Sequence, residues 1–251
     1  MDGKSGNNFM FRQKLLLLAA GFALTSCTAL SQHNDPFERG NRFMFRVNVQ
    51  FDKFLLKPVA KGYLYIPSSV RQSVRNFLDN LASPVTLAND TFQLQGQRAS
   101  TTALRFGINS TVGLFGLFDP AKSLGLEKHD EDFGQTMAVW GVPEGPYLFT
   151  PIYGPSSPRE FSGWIVDWTF DPMTHEDDWH LENAIGRYAI DGVDTRASAL
   201  TVLDEIERSS VDFYATVRSL YQQNRASEIA NGVTNIDDLP DLDEFDYLDD
   251  F

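Results

Sequence analysis

The sequence predicts an all-α, single-domain fold of many short amphipathic helices, and three observations carry that reading. Serine or aspartate stands next to proline at several points where a new segment opens, which is the capping chemistry of a helix start. Apolar residues between those points recur at spacings of three and four. Almost nowhere do apolar and polar residues alternate as a half-buried strand requires. With 251 residues, 42% of them hydrophobic, the chain has enough apolar material for one sizeable domain.

The amino terminus sets the compartment. Lys4, Arg12 and Lys14 precede an apolar segment, Leu15 to Leu24, with the layout of a signal peptide; Met10 is an alternative start. The segment is too short for a spanning helix. It ends in Leu24-Thr25-Ser26-Cys27, which resembles the bacterial lipobox, so residues 1–26 are expected to be removed and Cys27 to carry diacylglycerol. Cys27 is the only cysteine, so no internal disulfide can form. Thr28 follows it, not the aspartate that commonly retains lipoproteins at the inner membrane, and this implies the outer membrane. Acyl chains hold firmly, at roughly 0.8 kcal/mol per buried methylene.

Residues 27–34 form a short lipidated tether. From Asn41 the apolar positions Phe43, Phe45, Val47, Phe51, Phe54 and Leu55 predict a helix over 41–56, stopped by Pro58. A core-facing stripe is expected for most of its phenylalanines, with a bilayer-interface position as the alternative. Further helices are expected from Pro67-Ser68-Ser69 through Asn80, from Ser83-Pro84 to about Leu94, over 97–112, from Asp119-Pro120, from Ser157-Pro158, and over 184–190, 196–208 and 211–223. None has the roughly 20 consecutive apolar residues needed to cross a bilayer. The domain is assigned to residues 35–226. Residues 227–251 form an acidic tail in which eight carboxylates from Asp237 to Asp250 meet no basic residue, the composition of a disordered segment.

The net charge of −13 argues against nucleic acid and against electrostatic binding to anionic lipid. Membrane contact must then be hydrophobic or covalent. Attention falls on Arg105 to Arg159. This stretch contains the apolar run Val112-Gly113-Leu114-Phe115-Gly116-Leu117-Phe118 and then a series of glycine–proline turns among large aromatics, including Gly145-Pro146-Tyr147. It suggests a surface that holds apolar material.

No catalytic constellation is present. His175 and His180 are five apart and do not stack as the zinc-protease pair does, so no metal site is expected. Ser156 and Ser157 lack the glycine that makes a nucleophile elbow, and capping explains Ser157 better. No cofactor is expected.

Several blocks in order carry a resemblance: the lipobox, Asp35-Pro36-x-Glu38 with Asn41-Arg42, Lys57-Pro58-Val59-Ala60, Asn109-Ser110-Thr111-x-Gly113, Asp132-Phe133-Gly134-Gln135-Thr136, Trp140-Gly141-Val142, Gly145-Pro146-Tyr147 and Tyr153-Gly154-Pro155-Ser156-Ser157-x-Arg159. Together they look like the MlaA/VacJ family of phospholipid-trafficking lipoproteins. The resemblance implies a ring-like helical body lodged in the inner leaflet of the outer membrane around an amphipathic channel. It also implies partners: phospholipid, an outer-membrane porin trimer and a periplasmic lipid carrier. Such a protein removes misplaced phospholipid from the outer leaflet, maintains lipid asymmetry and is not an enzyme.

Within that frame Val112, Gly113, Leu114, Phe115, Gly116, Leu117 and Phe118 are the candidate lipid pathway, with the two glycines as hinges or close-packing points. Asn41, Arg42 and Asn109 line a polar side or serve structure. Phe133, Gly134, Gly145, Pro146 and Tyr147 set turns or touch a partner. Rival readings are a porin-docking structural lipoprotein and a lipid hydrolase.

Overall fold

Prolines and asparagines decide where the elements lie. The structure, a computed structural model, describes residues 35–171 and 181–232. From Phe37 onward these form one unit. Its elements run α1 (Glu38–Phe51), a π-helical turn (Asp52–Leu56), α2 (Lys57–Tyr63), α3 (Ser68–Phe92), α4 (Gly96–Thr111), α5 (Pro120–Ser123), α6 (Phe133–Val139), β1 (Leu148–Thr150), β2 (Gly154–Ser156), α7 (Pro158–Phe170), α8 (Leu181–Ser198), α9 (Leu200–Ser209) and α10 (Phe213–Ile229). The chain is mainly helical, as expected. Among the described residues the strands are one short antiparallel pair, Leu148 opposite Ser156 and Thr150 opposite Gly154.

Several boundaries differ from expectation for local reasons. Pro58 does not stop the first helix: the wider π turn at Asp52–Leu56 gives the proline ring room, and α2 follows without a break. Nor does Ser83-Pro84 open a helix. α3 runs through Pro84, whose ring removes one ladder bond, while Ser83 Oγ donates back to Asp79 O at 3.0 Å. α8 continues past Gly186 and Gly192, and the break comes at Ala199. The last helix runs past residue 226: α10 extends to Ile229 and closes with Gly232 N–H on Ser227 O at 2.8 Å, Asn231 and Gly232 both at positive φ. Asp132-Phe133-Gly134 is no turn but a helix start, Asp132 accepting from Gln135 N–H at 2.9 Å.

The hairpin is zipped to α1 by two asparagines. Asn41 Nδ2 donates to Tyr147 O (3.0 Å) and Phe149 N–H to Asn41 Oδ1 (2.9 Å); Asn48 repeats the pattern with Thr150 O (3.0 Å) and Ile152 N–H (2.9 Å). Seven helical residues rise about 10.5 Å, and three strand residues about 10 Å, so the two amides meet the strand in register. Between them Phe45 packs edge-on against Phe149, Phe213 and Tyr214, with centroids 5.2–5.5 Å apart.

That cluster is the main apolar core, and it is small. Among the described residues twenty polar or charged side chains are buried against eight hydrophobic ones, while 36 large hydrophobics are exposed. Of the four phenylalanines in the first predicted helix, most of which were expected to face the core, only Phe45 is buried; Phe51 is half-buried, Phe43 is exposed and Phe54 is 80% exposed. The hydrophobic pattern is turned outward, which water alone does not stabilise. No helix among the described residues is long and apolar enough to cross a membrane.

Candidate functional site

The run from Val112 to Phe118 forms a tight knob after α4. Leu114, Phe115 and Gly116 sit in succession at positive φ (54°, 59° and 89°). For the two non-glycine residues this costs about 1 kcal/mol each, so the surroundings must hold them there. The backbone does: Phe115 N–H donates to Ser110 O (3.0 Å), Gly116 N–H to Asn109 O (2.8 Å) and Phe118 N–H to Gly113 O (2.9 Å). Both glycines are close-packing points. A Cβ on Gly113 would lie within 3 Å of the Asn109 and Phe118 carbonyl oxygens, and one on Gly116 within 3 Å of Asn80. With its backbone satisfied inward, the knob turns its side chains out. Val112, Leu114, Phe115, Leu117 and Phe118 are all exposed, Phe115 by 77%.

Beneath the knob the molecule is polar. On α3, Gln72, Asn76, Asp79, Asn80, Ser83 and Thr86 recur at helical spacing and face α4, whose own Thr102, Arg105 and Asn109 face back. Asn76 Nδ2 donates to Leu117 O (3.4 Å) and Asn80 Nδ2 to Ser110 Oγ (2.9 Å), tying the polar face to the knob. Asn109 donates to Asp119 Oδ1 (2.9 Å) and accepts from Ala121 N–H (3.2 Å), fixing the exit of the chain into α5. Arg105 donates to Asp119 Oδ2 (2.8 Å) and to Leu126 O. Burial alone would raise the Asp119 pKa, but bonds from Arg105, Asn109 and the Lys122 N–H hold it below the usual carboxylate range.

A pocket of about 460 Å³ opens here, lined by Gln72, Asn76, Asp79, Arg105, Asp119, Lys122, Glu127 and Lys128. Lys128 spans its wall between Asp79 (2.8 Å) and Asp130 (3.1 Å). Sequence reasoning assigns none of these residues to a site and reads Asp119 only as a helix cap. The available signal was the polar stripe on α3, which has the period of a buried face and none of its apolarity.

The other sequence-predicted residues make contacts within the fold. Arg42 forks onto Asp212 (2.6 and 3.0 Å), bonds Glu38 (2.7 Å) and lies 4.5 Å over the Tyr214 ring. Phe133 packs against Phe92 and Trp140. Gly134 lets α6 cross α7 at Gly163, where a Cβ would meet the Gly134 backbone within 3 Å. Gly145 turns at φ +80° ahead of Pro146, and Tyr147 is buried near Tyr214 and Tyr221. Ser156 and Ser157 are both buried, and Ser157 Oγ accepts from Glu160 N–H (3.3 Å) at the start of α7. A buried capping hydroxyl is a poor nucleophile. Among the described residues no group of acidic, histidine or cysteine side chains is arranged to hold a metal. Cys27, His175, His180 and the acidic run lie outside the described residues.

Behind α6 and α7 stands a second charge cluster. Arg225 donates to both oxygens of Asp132 (2.6 and 2.7 Å), to Glu160 and to Glu228 (2.9 Å), while Arg159 donates to Glu160 (3.1 and 3.2 Å). Burial would raise Asp132, but the Arg225 fork outweighs it and holds the carboxyl low.

The sequence profile described as MlaA lipoprotein matches residues 33–228. The chain is 32% identical over 249 residues to the intermembrane phospholipid transport system lipoprotein MlaA of Haemophilus influenzae, covering 90% of this chain and 95% of that one. The protein of the same name from Escherichia coli is 32% identical over 231 residues, with coverages of 87% and 89%. An uncharacterised protein of Rickettsia typhi shares 32% identity over 197 residues, 78% of each chain. A solved structure bearing on the structural basis for maintenance of bacterial outer membrane lipid asymmetry matches with a TM-score of 0.71 and 30% identity, covering 78% of this chain and 100% of that one. The chain belongs to the MlaA lipoprotein family.

Proposed function

We propose that this protein is an outer-membrane lipoprotein that takes mislocalised phospholipids from the outer leaflet and passes them to a periplasmic carrier, so maintaining lipid asymmetry. Its transport-system relatives support that reading. The single observation that carries it is the junction of an exposed apolar knob with a polar pocket, joined through Asn76 and Asn80. A phospholipid in transit needs both surfaces at once, because dehydrating a bare phosphate in hydrocarbon is very costly. The acyl chains lie along Leu114, Phe115, Leu117 and Phe118, and the headgroup stays in the wet pocket. No covalent chemistry is required of any side chain.

In this account the body is ring-like, surrounds an amphipathic channel and rests in the inner leaflet beside a porin trimer, held by acylated Cys27. The outward-facing hydrophobics suit that setting. On α7, Phe161, Trp164, Ile165 and Trp168 present an exposed stripe with Trp164 stacked on Trp168 at 5.9 Å, the side-chain type that favours the boundary of a bilayer.

The test is surface labelling of phospholipid in a deletion strain. Wild-type protein should restore low outer-leaflet phospholipid. Leu117→Asp and Phe118→Asp should not restore it, although both proteins remain folded and anchored; Cys27→Ala controls for anchoring. Rescue by the aspartate variants would remove the knob from the route, and unchanged surface phospholipid on deletion would refute the function.

A further inference from the structure

The pocket holds three cations, Arg105, Lys122 and Lys128, and three carboxylates, Asp79, Asp119 and Glu127. Four of the six are mutually engaged: Arg105 with Asp119 at 2.8 Å and Lys128 with Asp79 at 2.8 Å. Lys122 and Glu127 are not, for neither forms an ion pair among the described residues. They stand on either side of the turn at Gly125 (φ +77°), which follows α5, so one uncommitted positive and one uncommitted negative charge face the same pocket. A fold that needed only solubility there could have paired them with each other.

Resting on the lipid-handling reading above, we propose that this pocket selects zwitterionic headgroups: Lys122 meets the phosphate and Glu127 meets the ammonium of a phosphoethanolamine lipid. The paired residues form neutral walls that neither attract nor repel a net charge. A headgroup bearing only phosphate would satisfy Lys122 but leave Glu127 facing like charge, which is unfavourable. One such exposed interaction is worth up to roughly fivefold in occupancy. Attachment of the pocket rim to the knob through Asn76 places the acyl chains on the apolar side whichever headgroup enters.

The experiment uses full-length acylated protein in detergent, incubated with equal amounts of phosphatidylethanolamine and phosphatidylglycerol of identical acyl chains, the retained lipid being quantified by mass spectrometry. Wild type should retain the ethanolamine lipid in roughly fivefold excess. Glu127→Lys should move the ratio toward the glycerol lipid, and Lys122→Gln should lower retention of both; thermal unfolding checks that these exposed substitutions leave the fold intact. A wild-type ratio at or below one, or a ratio that Glu127→Lys leaves unchanged, overturns the headgroup assignment while lipid handling stands. Retention of neither lipid by wild type overturns both.

Discussion

Around Arg225 every formal charge is used up, whereas around the pocket between α3, α4 and α5 two are left over. In the first cluster one guanidinium serves Asp132, Glu160 and Glu228, and a second serves Glu160 again. In the second, tight internal pairs stand beside uncommitted Lys122 and Glu127. Closed networks fix the path of the chain, here α6, α7 and α10. Open ones keep interaction free energy for something that is not the chain. On the proposal above, the contrast separates structural charge from binding charge.

The comparison can be broken most forcefully at its closed end. Arg225→Met takes the arginine fork from Asp132, leaves Glu160 with Arg159 alone, and should cost about 3 kcal/mol or more, read as a large loss in thermal stability. Lys122→Met, at the open end, should change stability by less than about 0.5 kcal/mol. Gly163→Ala forces a methyl into the Gly134 backbone and should cost about 2 kcal/mol; Gly186→Ala, a helical position with nothing within 4 Å, should instead stabilise by about 0.5 kcal/mol. Differential scanning calorimetry of the purified variants decides both pairs.

A smaller effect concerns pH. Burial pushes the Asp167 carboxyl up to about 6 from 3.8, against bonds from Phe133 N–H (2.9 Å) and Asn89 (2.8 Å) that favour ionisation. The folded chain therefore holds this proton after the unfolded chain has lost it. Through this group alone, stability is greatest below pH 4, falls as pH rises to about 6, and changes no further above. Partial exposure reduces the expected drop to about 1 kcal/mol. Asp167→Asn cannot ionise, so the difference between wild-type and variant stability should decline across that window. A difference that is flat from pH 4 to pH 6 would show that Asp167 titrates normally.

Helix starts were legible because capping is local. Asp119 and Ser157 accept the N–H bonds that their position before proline announces, from Lys122 at 3.2 Å and from Glu160 at 3.3 Å. Ser83-Pro84 carries the same local signal and fails, since contacts of Asn80, Asn89 and Asp90 with other elements keep α3 continuous through it. The knob was visible as an apolar run with two glycines. Its conformation was not, because Leu114 and Phe115 enter the left-handed region only under bonds supplied by Asn109 and Ser110. The pocket was hidden for a deeper reason. Its largely half-buried lining is polar, and a search for apolar periodicity discards the stripe from Gln72 to Thr86 as solvent-facing. The outward-facing phenylalanines are the other half of the same inversion.

Site-specific photo-cross-linking in intact cells tests the central claim most directly. A benzophenone amino acid in place of Phe115, at the apex of the knob, should yield phospholipid adducts detectable by mass spectrometry. The same probe at Val211, fully exposed between α9 and α10 among Ser209, Ser210 and Asp212, should yield none. Adducts at neither position, or equally at both, would contradict a lipid route over Val112 to Phe118.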